Sequence, residues 1–396
     1  MTSETVQFTQ LPQPATFEDY DRAVEEVKVL CERSGVVRAL YQIGNVSVPG
    51  LSDIDLILVF DEEAARKRRR IPRVEHLSPA ARRLFLHDFF YTDPQSFANL
   101  NRITIASELR HVWGDDLGQP ADVSCEIRLL ILTDVLVALL PRAFLLPLVE
   151  GRAPARTLIA QIHALRHTLA IMEDLRCQPR PAWADFVEEF RRFRSRWFEY
   201  DAPPLAQLTE FLQRAVEMGF TMVCDWGRHI GRSALGEAAW SGNPGPEDIL
   251  DCGWPRPTLY TRDWSAERAA RLTRQAWTKG RCRLVALPLP LATPLLHYRR
   301  VGGLHSEHIA CRLAVNATLP DLTPHEAARE RIEAMDRHVG FLSDIRAGTG
   351  QMFFLGILPR GRRGLREARS WLMRARTDRS VRRAFAWWEE AGKALE

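Results

Sequence analysis

The chain has 396 residues, 46% of them hydrophobic and 26% charged, with a formal net charge of +4. That length exceeds what one hydrophobic core usually serves, so two or three domains are expected. The composition excludes a disordered or collagen-like chain, and so small a net charge does not mark the whole molecule as a nucleic-acid binder.

The seven cysteines are scattered, odd in number and never in a C-x-x-C pair. A disulfide framework or zinc site is disfavoured, and a reducing, cytoplasmic compartment is expected. Residues 1–15 are polar and hold two prolines, which suggests a flexible arm. The most apolar stretch, 129–149, is broken by Asp134, Pro141 and Arg142. A spanning helix needs about 20 apolar residues without such breaks, so buried core helices are expected and no membrane contact.

Taken in chain order, Thr16 and Asp19 form the two halves of a capping box. The helix that follows carries Tyr20, Ala23, Val24, Val27, Leu30 and Cys31 on one stripe and stops at Gly35. Residues 36–44 read as a strand, 45–52 as a turn with Pro49 and Gly50, and 53–60 as a second strand. A charged segment with the run RKRRR at 66–70 precedes a third strand at 84–92. Asp93 and Pro94 mark a helix start, and 109–114 a short fourth strand. From Cys125 to about Ile230 the period becomes helical, with three long helices separated by proline joints. Residues 241–257, rich in proline and glycine, read as a linker. Beyond it come a helix at 265–279, strands at 282–289 and 307–315, a helix starting near Thr323 and two basic C-terminal helices.

The chemistry is concentrated in IGNVSVPGLSDIDLILVF at 43–60. Asp53 and Asp55 are two apart in a strand, so both carboxylates point into one space. Like charges so close require a neutralising partner, and a divalent metal is the natural one. Gly44 lies in a turn where backbone N–H groups can approach a phosphate.

Gly44 followed by a small polar residue, then SDIDLILV, resembles the signature of the DNA-polymerase-beta-like nucleotidyltransferase superfamily, over roughly residues 17–117. Asn45 stands where that family more often has serine, with Ser47 near enough in the loop to substitute. The resemblance implies an α/β nucleotidyltransferase-like mixed sheet with helices over 16–120. A helical domain at 121–240 and a C-terminal α+β region with a basic tail at 258–396 follow. It also implies a third carboxylate on a later strand, for which Asp88 is the choice over Asp93, Asp115 and Asp116. Asp53, Asp55 and Asp88 would then be catalytic and hold two Mg2+ ions, with Mn2+ able to replace them. Gly44, Asn45, Ser47 and Ser52 would contact a nucleoside triphosphate, with ATP the default donor. A nucleoside monophosphate would pass to an unknown hydroxyl acceptor.

Two alternatives stand beside this reading. One is a degenerate nucleotidyltransferase fold that binds nucleotide, RNA or a partner protein without turnover. The other is a fusion of toxin-system type, in which Arg156 and His163 echo the arginine–histidine spacing of HEPN ribonucleases. His163 and His167 share a helix face, but the glutamate of H-E-x-x-H is missing, and His305 and His308 read as ordinary loop histidines. The tail at 360–383 carries ten arginines against Glu367 and Asp378 and could engage RNA or another polyanion, or pair with acidic faces of the chain.

Overall fold

The structure is a computed structural model that describes residues 6–61, 71–104, 108–140, 143–144, 147, 152–230, 249–251, 258–260, 286–288 and 326–345. The arginine run at 66–70, the expected helix at 265–279, the strand at 307–315, His305, His308 and the basic tail lie outside these residues.

Within them the architecture is mixed α/β, a mixed sheet flanked by many helices. A first short strand, β1 (Gln7–Thr9), precedes helix α1 (Phe17–Ser34). The capping box forms as expected. The Thr16 hydroxyl accepts the Asp19 N–H at 3.3 Å, and the Asp19 carboxylate accepts the Thr16 N–H at 2.9 Å. Gly35, at φ 60°, ends the helix in the left-handed conformation that glycine adopts most readily. The chain then enters β2 (Val37–Ile43), which pairs antiparallel with β3 (Asp55–Phe60). β4 (Phe90–Thr92) lies parallel to β3, and β5 (Leu109–Gly114) runs antiparallel along the other side of β2. The spatial order is β4-β3-β2-β5.

Alternation along β3 divides two cores. Leu56, Leu58 and Phe60 face the main core, which contains Tyr20, Ala23, Val27 and Cys31 of α1. Ile57 and Val59 face a smaller cluster with Ala39, Tyr41, Phe97 and Leu100. Asp55 shares the parity of this second face and stands at its open end. Each fully buried large side chain contributes roughly 1.5–3 kcal/mol of transfer free energy, so both faces anchor the strand that carries the acids.

The helical region comprises α5 (Cys125–Leu140), α6 (Ala155–Asp174), α7 (Pro181–Ser195) and α8 (Leu205–Ile230); the short α2 (Pro79–Arg82), α3 (Pro94–Ala98) and α4 (Leu100–Ile103) lie in the sheet region. Phe186, Phe190 and Phe193 of α7 meet Phe211 of α8 with ring centroids 4.8–5.9 Å apart. Buried Trp226 of α8 donates its indole N–H to the Thr133 hydroxyl of α5 at 3.0 Å. Among the described residues no helix is long and apolar enough to cross a membrane.

Four differences from expectation follow from tertiary contacts. The arm is tied down at β1, which pairs in parallel with β6 (Arg152–Pro154) just ahead of α6. The third strand is only three residues long, because Asp88 turns its carboxylate onto the backbone N–H groups of Val74 and Phe89, both at 2.9 Å, in place of ladder pairing at 84–89. Inside the expected linker, β7 (Ile249–Asp251) is a strand, flanked by β8 (Thr258–Tyr260) and β9 (Ala286–Pro288). Helix α9 (Glu326–Asp344) packs into the first sheet rather than staying with the C-terminal region. Phe341 meets the Phe60 ring at 6.1 Å, and buried Arg331 donates to the Ile103 carbonyl at 3.2 Å.

Candidate metal centre and its supporting loop

Where β3 begins, Asp53 and Asp55 converge as their spacing requires. The third member of the group is His87. Its Nε2 lies 2.7 Å from Asp55 Oδ1 and 3.9 Å from Asp53 Oδ2. One ligand atom from each of the three lies within 4.8 Å of the others. The side chains of Asp53, Asp55 and His87 are 21%, 32% and 36% exposed, so the cluster opens to solvent and a ligand can reach it.

The electrostatics of the group are strained. Burial, then the charge of Asp55, push the Asp53 carboxyl up to about 6 against the opposing pull of His87 and Arg156. For His87, burial favours the neutral ring. The hydrogen bond and charge of Asp55, the Asp88 carbonyl and the charge of Asp53 outweigh it and push the imidazole up to about 9.

Asp88, the expected third acid, is placed differently. Its Oδ1 accepts two backbone N–H groups, and it is its backbone carbonyl that faces the cluster side, 2.7 Å from His87 Nδ1. The His87 ring also packs on Phe90 of β4, with centroids 4.7 Å apart. Asp93 caps α3, accepting from Gln95 and Ser96 at 2.9 Å, and Asp116 accepts from Tyr41 and Gly118.

The loop 45–52 that delivers the acids is fastened from both sides. Ser52 Oγ accepts the N–H groups of Ser47 and Val48 at 3.2 and 3.1 Å. Arg194 of α7 donates to Ser47 Oγ and to Ser52 Oγ, both at 2.8 Å. The Ser52 carbonyl accepts from the Tyr20 hydroxyl at 2.6 Å and from Arg156 of α6 at 2.5 Å. Arg156 also donates to the carbonyls of Leu84 and Arg83, and the Tyr20 hydroxyl accepts the Gly50 N–H at 3.0 Å.

Gly44 has φ +65°, and a Cβ there would meet nothing within 4 Å. Its face is open, yet its own N–H already donates to the Glu108 carbonyl at 3.1 Å. Asn45 and Ser47 are exposed. Of the four residues expected to touch phosphate, Asn45 and Ser47 are exposed, but the Ser47 N–H and hydroxyl, like the Gly44 N–H and the Ser52 hydroxyl, are engaged within the protein.

Arg156 and Arg194 were not singled out as parts of this site by the sequence pattern, although each interrupts an apolar helix stripe. Arg156 follows Ala155 ahead of Leu158 and Ile159, and Arg194 follows Phe190 and Phe193. Both are buried, with the Nε of each lacking a hydrogen-bond partner. Their other bonds go to neutral oxygens, and both exert a pull on Asp53. They act as buried cations that offset the acid pair across the loop. His163, one helical face away, is held down at about 3 by burial and by the charges of Arg194 and Arg166, so it is a neutral imidazole beside a basic wall. No family model, curated protein or solved structure matches the chain.

Proposed function

We propose that the chain is a metal-dependent nucleotidyltransferase that moves a nucleoside monophosphate from a nucleoside triphosphate to a hydroxyl acceptor. The observation that carries this is the convergence of Asp53 and Asp55 at the open end of β3, immediately after a glycine turn and a buttressed loop. The strand pairing supports it as well: an antiparallel β2-β3 pair followed by a parallel β4 suits the nucleotidyltransferase-like sheet.

The donor set fits a divalent cation, since the two carboxylates are close enough for the charge of Asp55 to disfavour ionisation of Asp53, and an imidazole nitrogen stands beside them as a further donor. Asp53 and Asp55 would hold a divalent ion, which when bound would supply Lewis-acid stabilisation of the phosphoryl oxygens. In the transfer, an acceptor oxygen forms a bond to the α-phosphorus as the α–β anhydride bond breaks. Pyrophosphate leaves with the electron pair, and the acceptor proton passes to solvent. Asn45 is exposed in the loop that leads to the acids, and its side-chain amide would donate to phosphate oxygens. Arg194 and Arg156 keep the loop in register with the acids.

The test is release of pyrophosphate from labelled nucleoside triphosphates with Mg2+ or Mn2+ and a panel of hydroxyl acceptors. Release that disappears in Asp53→Asn and Asp55→Asn supports the reading. A second reading, nucleotide binding without turnover, is favoured by the 2.7 Å His87–Asp55 contact, in which a protonated imidazole already satisfies one carboxylate. Triphosphate binding with no product on any acceptor would establish that alternative.

A further inference from the structure

We infer that His87 is the third ligand of the ion held by Asp53 and Asp55, and that it directs the centre toward Mn2+ and similar first-row transition ions rather than Mg2+. This rests on the nucleotidyl-transfer reading only for the use made of the ion.

The ring is oriented as metal-binding imidazoles are. A backbone carbonyl can only accept, so the 2.7 Å contact of His87 Nδ1 with the Asp88 carbonyl places a proton on Nδ1. Nε2 is thereby the nitrogen turned toward Asp55 and Asp53, and an entering ion that displaces its proton to solvent meets the lone pair there. A ligating histidine characteristically donates its other N–H to such an acceptor, which fixes tautomer and ring plane together. The acceptor is itself fixed, because the Asp88 carboxylate binds the N–H groups of Val74 and Phe89 and holds this turn of the chain. Phe90 closes one side of the ring. Three separate contacts thus aim one nitrogen at the carboxylate pair.

That nitrogen decides the metal. Mg2+ is hard and takes oxygen ligands, whereas imidazole suits first-row transition ions, Fe2+, Ni2+ and Zn2+ above all; Mn2+, which also accepts oxygen ligands, is the weakest binder of that series and so the most stringent comparison with Mg2+. Replacing a third carboxylate by an imidazole also removes one negative charge from the site, which lowers the attraction for any dication. The softer ions recover that loss through the nitrogen bond and Mg2+ does not.

The experiment uses the untagged full chain without nucleotide, titrated with Mn2+ and with Mg2+ by calorimetry, and pulsed EPR of the Mn2+ complex. Expected are a preference for Mn2+ of about tenfold or more, and a nitrogen coupling to Mn2+ that vanishes in His87→Gln. His87→Asp should bring the two affinities within about threefold of each other, with circular dichroism showing the fold retained. Mn2+ bound without nitrogen coupling, equal affinity for Mg2+, or no binding of either ion overturns the assignment. Mg2+-supported pyrophosphate release under those outcomes would leave the nucleotidyl-transfer reading standing. Nitrogen-coupled Mn2+ with no release on any acceptor would do the reverse.

Discussion

Asp53→Asn should make the metal-free protein more stable at neutral pH. The carboxyl is held at about 6 against an ordinary value of 3.8, by burial first and by Asp55 second. At about 1.4 kcal/mol per tenfold change in proton affinity, that difference corresponds to about 3 kcal/mol. The sign follows from where the proton sits. Below pH 3.8 the group is neutral in folded and unfolded chains, and there is no penalty. Between 3.8 and about 6 the folded chain keeps the proton that the unfolded chain loses, so stability falls as pH rises. Above about 6 the penalty is complete. Asparagine keeps the shape and removes the charge. The variant should gain up to about 3 kcal/mol at pH 7.5 and only about 1 kcal/mol at pH 4.5, as judged by urea unfolding with chelator present. Adding a divalent ion should stabilise the wild type and not the variant, narrowing or reversing the order. A variant no more stable than wild type at pH 7.5, or a gain equal at both pH values, would refute the claim that burial and Asp55 outweigh the neighbouring cations at Asp53.

The glycines of the loop should separate cleanly. Gly50→Ala, at φ +84° with a Cβ 2.3 Å from the Gln13 carbonyl, should prevent folding or destabilise severely, whereas Gly44→Ala at φ +65° in open space should lose only about 1–2 kcal/mol in chemical denaturation. Tyr20→Phe removes a hydroxyl that donates to Ser52 and accepts from Gly50, and should cost about 1–3 kcal/mol while weakening metal affinity measured by calorimetry. Acid should destabilise the fold from about pH 6.5 downward, because burial holds His163 at about 3 and His338 at about 4, so the unfolded chain takes up their protons first. The melting temperature measured from pH 7.5 to 4.5 should fall less steeply in His163→Gln than in the wild type, and an identical profile would exclude His163 from the effect.

The cluster illustrates how far residue patterns reach. The proximity of Asp53 and Asp55 was legible from their two-residue spacing, although β3 begins only at Asp55 and Asp53 lies in the segment leading into it, and the α1 boundaries needed only cap chemistry three residues apart and a glycine at φ 60°. The third member could not be read that way. His87 and Asp88 are adjacent, and which of them faces the acid pair depends on Val74, whose N–H draws the Asp88 carboxylate aside from fourteen residues away. Arg156 and Arg194 look like flaws in apolar helix stripes until the loop at 45–52 is seen between them.

Elements whose causes lie within a turn or two of chain were therefore settled locally: the first helix, the two-residue spacing of the carboxylates, and the apolar faces of the long helices. The contacts that span 104 to 147 residues, from Arg156 and Arg194 to Ser47 and Ser52, were settled only by the path of the chain. So was the docking of α9 on Phe60. Local preferences act through steric and hydrogen-bonding limits on neighbouring residues, whereas a buried cation finds its oxygens only after packing has brought distant backbone within about 3 Å.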